Sequence, residues 1–131
     1  MRSLLLTTVF LSSLALFCAL PGLAQSQPAP VPPTELSAGL GHCSALVTVT
    51  GADAKPVYNA KVSTQIRYGF LGAKKLDLEA YTSAAGQVKF TGLPEVLKKP
   101  MFLNISKDER TDSVEFNPEQ HCRATFDVHL K

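Results

Sequence analysis

Between residues 45 and 94 apolar and polar side chains alternate, and Gly, Asp and Pro break the alternation into short runs. No other feature constrains this chain as strongly. The run Leu46-Val-Thr-Val-Thr50 stops at Gly51-Ala-Asp-Ala-Lys-Pro56, and Val88 to Phe90 follows the turn Ser83-Ala-Ala-Gly86. A strand sends successive side chains to opposite faces, so period-two alternation marks a sheet with one buried face. Clusters of Gly, Asp and Pro supply the turns between such strands.

Carried along the whole chain, the pattern predicts seven strands at residues 45–50, 60–68, 76–82, 87–91, 101–106, 111–116 and 122–130. In the second, Val62, Thr64, Ile66 and Tyr68 share one face and Lys61, Ser63, Gln65 and Arg67 the other. In the last, Cys122, Ala124, Phe126, Val128 and Leu130 alternate with polar neighbours. Residues 95–100 read as a polar connection with room for a helical turn, and no segment sustains helical periodicity. The expected fold is all-β: a single antiparallel, Ig-like or prealbumin-like sandwich of about seven strands.

The amino end reads differently. Met1-Arg2 is a short positive start, residues 4–20 are mostly apolar, and small residues Gly22 and Ala24 suit a signal peptidase. Residues 1–24 are therefore expected to be a signal peptide cleaved near Ala24, which makes the chain secreted or periplasmic. Phe17 before Cys18 argues against a lipid-modified cysteine. Residues 25–41 carry Pro28, Pro30, Pro32 and Pro33 and read as a semi-rigid linker, leaving 42–131 as the domain. Without Arg2 the chain holds 12 Lys and Arg against 11 Asp and Glu, too even a balance for nucleic-acid binding. Membrane contact is not expected once the signal is removed.

Two cysteines remain, Cys43 and Cys122, an even count that in an exported chain favours a disulfide. The alternatives are free thiols and a zinc-like set made by His42-Cys43 and His121-Cys122. Adjacent residues on a strand point to opposite faces, which disfavours the metal. Asp77 and Glu79 read as a solvated strand face. Asp108, Glu109 and Asp112 lack the alternating ligand loop of a calcium site. Asn104-Ile-Ser106 is a glycosylation sequon. No nucleophile, phosphate-loop or metalloprotease motif is present, so no catalytic residue, cofactor or metal is assigned and the chain is expected not to be an enzyme.

One segment stands out as a possible partner contact: the hairpin holding Arg67, Tyr68, Phe70, Leu71, Lys74 and Lys75. Phe70 and Leu71, set between Gly69 and Gly72, could insert into a partner or a membrane surface. They could equally fold back and cap the core, and capping is the favoured expectation.

Lys55-Pro56-Val57, Ala60-Lys61-Val62, and then Thr82, Gly86, Phe90, Leu93 and Pro94 resemble the carboxypeptidase regulatory-like (prealbumin- or transthyretin-like) domains. The resemblance is clearest over about residues 45–94. It departs at Ala54, where the family's turn usually has Gly, and at Ala84-Ala85, which replace an Asp/Asn-rich turn. It implies a sandwich that serves as an accessory folding, spacing or binding module and brings no catalytic residues with it. The functional expectation is an exported, non-catalytic module binding a protein or glycan partner through loops at one end; the competing expectation is a structural or adhesin-like subunit of a cell-surface assembly.

Overall fold

The computed structural model describes residues 29–131. The expected signal peptide, its cleavage site, Cys18 and the first residues of the linker lie outside the described residues. What is described is a β-sandwich of two four-stranded sheets. In chain order the strands are β1 (Thr34–Ser37), β2 (Cys43–Thr50), β3 (Lys61–Tyr68), β4 (Lys74–Tyr81), β5 (Gln87–Leu93), β6 (Met101–Lys107), β7 (Arg110–Phe116) and β8 (Arg123–His129). One sheet runs β1-β5-β2-β8 and the other β4-β3-β6-β7.

Seven strands fall where the alternation places them, and their buried faces match it. Val62, Thr64 and Ile66 of β3 are buried, as are Val88 and Phe90 of β5 and Val128 of β8. The eighth strand corrects the linker reading. Thr34–Ser37 pairs parallel with β5, from Thr34 opposite Val88 to Ser37 opposite Thr91. Four residues, mostly exposed, give no alternation to read; the open edge of β5 makes them a strand. Pairing is otherwise mostly antiparallel, with one further parallel pair, β2 and β8. The connection at 94–100 contains no helical turn, and the short 3₁₀ turn that does occur is Phe70–Gly72. Strand β4 begins at Lys74 rather than Leu76, so the β3–β4 hairpin closes through only Gly69 to Ala73. Lysines at the start of this edge strand suit an edge that must not pair with other chains.

The residues behind the family resemblance knit one end of the sandwich together. The Thr82 hydroxyl donates to the Val57 carbonyl (2.6 Å) and accepts the Ala60 amide (2.8 Å). The Val57 amide in turn bonds the Val49 carbonyl, and the Val49 amide bonds the Gly86 carbonyl. Gly86 has φ 73, and a Cβ there would lie 2.5 Å from the Val49 carbonyl oxygen, so no side chain fits. Every buried side-chain polar atom among the described residues has a partner.

The strand directions sort the connections into two ends. The 51–60 and 82–86 crossings and the β6–β7 hairpin share the end just described. The β3–β4 hairpin, the 94–100 connection and the start of β2 lie at the other. At this second end Cys43 and Cys122 form a disulfide with Cα atoms 4.6 Å apart, across 79 residues of chain. The bridge joins β2 to the start of its neighbour β8, and the Ser44 amide bonds the Cys122 carbonyl at 2.8 Å beside it. Because both sulfurs are in the bridge, His42 and His121 have no thiolate to share a zinc ion with. Both histidines are exposed.

Candidate functional site

The β3–β4 hairpin corrects the capping expectation. Phe70 is 86% exposed and Leu71 70% exposed, so neither covers the core. The backbone explains the outward direction. Gly69 has φ 80 and Leu71 φ 54, and the Gly72 and Ala73 amides return to the Gly69 and Phe70 carbonyls in a tight turn. A leucine in the left-handed region is disfavoured by roughly 1–2 kcal/mol relative to ordinary backbone. Leu71 takes that conformation while most of its side chain stays exposed. Strain at an exposed apolar residue points to a use outside folding.

A second connection completes this end. Val96, 72% exposed, lies in the 94–100 segment, and the Lys98 ammonium sits 6.0 Å from the Phe70 ring centroid. Lys74 stands 5.9 Å over the Tyr68 ring, so all six residues expected at the contact belong to one end of the molecule. Lys99, Val96 and Lys98 join them; sequence reading missed these because they lie about 25 residues further along the chain.

Just below the tip, on the outer face of the second sheet, lies an open groove of about 280 Å³ lined by Gln65, Arg67, Leu97, Lys99, Phe102 and Asn104, among others. Its origin is a ladder that stops early. Strands β3 and β6 pair only from Lys61 opposite Ser106 to Ser63 opposite Asn104. There the Thr64 hydroxyl bonds the Phe102 carbonyl at 2.8 Å in place of a further rung. Beyond that point the strands part and the groove opens.

The other candidates resolve into structure. Gln65 donates to Asp77 and the Tyr81 hydroxyl to Glu79, both at 2.9 Å on an exposed face. That hydrogen bond, the Glu79 charge and a little desolvation raise the Tyr81 phenol above its ordinary pKa. Asp108 forms the tight β6–β7 turn with φ 55 and pairs with Arg110 at 4.0 Å. Among the described residues no group of three His, Cys, Asp or Glu side chains is placed to hold a metal ion. Asn104 of the sequon is exposed on β6, at the edge of the groove.

Fold and site together define an all-β sandwich with a disulfide and an exposed apolar tip among basic side chains. No family model and no curated protein matches the chain. Among solved structures it is similar to catechol 1,2-dioxygenase from Acinetobacter sp. ADP1 inhibited by bound mercury, at 14% identity and TM-score 0.46, over 76% of this chain and 59% of that one. The expectation that the chain is not an enzyme is corrected here. A structural neighbour is an enzyme, so the exclusion of catalysis is withdrawn; a likeness this distant carries no argument about any activity. The chain spans only 59% of that enzyme's length.

Proposed function

We propose that the chain is an exported β-sandwich module of the carboxypeptidase regulatory-like kind, secreted or periplasmic, that binds a protein or glycan partner through its Phe70–Leu71 end. The observation that carries this reading is the exposure of both side chains on a strained turn. Two apolar side chains held out of the core lose nothing on folding and gain on burial against a partner. The Cys43–Cys122 bridge supports the compartment, since disulfides persist where the surroundings oxidise. No helix among the described residues is long and apolar enough to cross a membrane.

The test is the double substitution Phe70→Asp, Leu71→Asp. Circular dichroism should stay that of the parent chain, while binding of the labelled chain to cells of its source, read by flow cytometry, is lost. Binding that survives with the fold intact refutes the loop end as the working surface. Sedimentation addresses the structural-subunit alternative, because self-association that grows with concentration would favour an assembly component over a monomeric binder.

A further inference from the structure

We propose that the groove between β3 and the start of β6, with the cations around it, binds an acidic glycan: a polysaccharide bearing carboxylate or sulfate groups. This rests on the reading of the loop end as the working surface and names the class of partner it takes.

Charge is the first observation. Of 13 Lys and Arg and 11 Asp and Glu in the chain, segments 67–75 and 94–102 hold five cations (Arg67, Lys74, Lys75, Lys98, Lys99) and one acid, Glu95. The remainder of the chain therefore has eight cations against ten acids. The two segments give the exposed end a local excess of four positive charges. Arg123 adds a cation there, and Glu115, opposite Phe102 on β7, and Glu119 in the β7–β8 connection add two acids, so the end stays net basic. Among the described residues the one ion pair within 4.0 Å is Arg110–Asp108, so none of the five cations is paired.

Register is the second. Arg67 of β3 stands directly opposite Lys75 of β4, and Tyr68 opposite Lys74. Like charges facing each other across a strand pair destabilise it. The nearest acid along the same face of β4, Asp77, accepts a hydrogen bond from the neutral Gln65 amide and makes no ion pair within 4.0 Å with either cation. Two cations held opposite each other with no ion-pair partner within 4.0 Å are relieved by an anion from outside.

The groove supplies the rest of the chemistry. Phe102, half exposed, offers a flat apolar face on which the C–H side of a sugar ring can lie. Gln65 and Asn104 line the same groove with amides that both donate and accept, as sugar hydroxyls require. The Arg67 guanidinium presents a planar fork to a carboxylate or sulfate, and Lys99 adds a point charge. An acidic bilayer would also suit the basic tip. However, Gln65 lies four residues inside Gly69, about 13 Å at roughly 3.3 Å per strand residue, beyond reach of a surface touching the tip. A polymer lying along the sheet reaches both.

The experiment measures fluorescence anisotropy of labelled heparin dodecasaccharide (sulfate and carboxylate) and labelled oligogalacturonate (carboxylate alone), with neutral dextran as control, between 50 and 200 mM salt. At least one acidic glycan should bind and dextran should not. Arg67→Gln and Lys99→Gln should each weaken binding by about tenfold and flatten its salt dependence. Phe102→Ala should weaken it with the salt dependence unchanged. Arg110→Gln, at the opposite end, should leave binding as it was. No binding by either glycan, or equal losses in the Arg110 variant, would overturn the proposal. Binding to phosphatidylglycerol vesicles or to a single-stranded oligonucleotide, with neither glycan bound, would replace the glycan by that partner. In such a case the Phe70→Asp, Leu71→Asp variant reports separately on the loop end itself.

Discussion

Replacing Thr82 by Val should destabilise the chain more than replacing it by Ser, although Val is the better match in shape and the site is buried. Thr82 is 2% exposed, and its hydroxyl holds two backbone groups, the Ala60 amide at 2.8 Å and the Val57 carbonyl at 2.6 Å. Valine keeps the volume and removes both bonds. A buried donor left unpaired costs about 1–3 kcal/mol, and the lost carbonyl partner adds roughly 1 kcal/mol, so Thr82→Val should cost about 2–4 kcal/mol. Serine keeps both bonds and loses one methyl, worth about 1 kcal/mol. The assay is guanidinium unfolding followed by far-ultraviolet circular dichroism, since the chain has no Trp to report by fluorescence. Slopes should agree across the three proteins while midpoints fall in the order parent, Ser, Val. Hydrogen exchange at the Ala60 amide should speed up in the Val variant first. A Val variant as stable as the Ser variant, or more so, would refute the assignment of this end's stability to the Thr82 bonds.

Other outcomes follow from the same structure. Cys43→Ala with Cys122→Ala removes a bridge across 79 residues and should cost about 4.5 kcal/mol by the chain-entropy relation; a loss under about 1 kcal/mol in denaturant unfolding would contradict it. Glu79→Gln removes the carboxylate that raises the Tyr81 phenol, so the Tyr81 titration followed by NMR should shift to lower pH, and an unchanged midpoint would show that Glu79 is not the cause. Arg67→Glu turns a repelling cross-strand pair with Lys75 into an attracting one and should stabilise the fold by about 0.2–1 kcal/mol while weakening acidic-glycan binding. Lower stability in the Glu variant would mean that the two cations do not repel as placed.

The strands from β2 to β8 were legible because burial on one face forces alternation, and alternation survives in sequence whatever the topology. The bridge was legible from the two cysteines left once Cys18 is set aside with the expected signal peptide. Strand β1 was not, because Thr34–Ser37 carries no buried face of its own and owes its conformation to the edge of β5. The direction of Phe70 and Leu71 depends on left-handed backbone at Gly69 and Leu71, and an apolar pair between two glycines is compatible with either direction. The opposition of Arg67 and Lys75 needs the exact turn length: starting β4 at Leu76 hides it, and starting it at Lys74 reveals it. The groove was invisible because it comes from rungs that fail to form between β3 and β6, and sequence patterns record strands rather than the places where they part.

Strand β1 also decides which way the molecule faces. It runs parallel to β5, so Thr34 lies at the Thr82–Gly86 end and the polypeptide enters the sandwich there. The basic tip is at the far end, about 25 Å away for strands of eight residues at roughly 3.3 Å each. Anything holding the chain by its Pro-rich lead-in therefore points Phe70, Leu71 and the groove outward, like a brush held by its handle. A surface-coupled assay should attach the chain on the amino-terminal side, where tethering leaves the contact end free in solution.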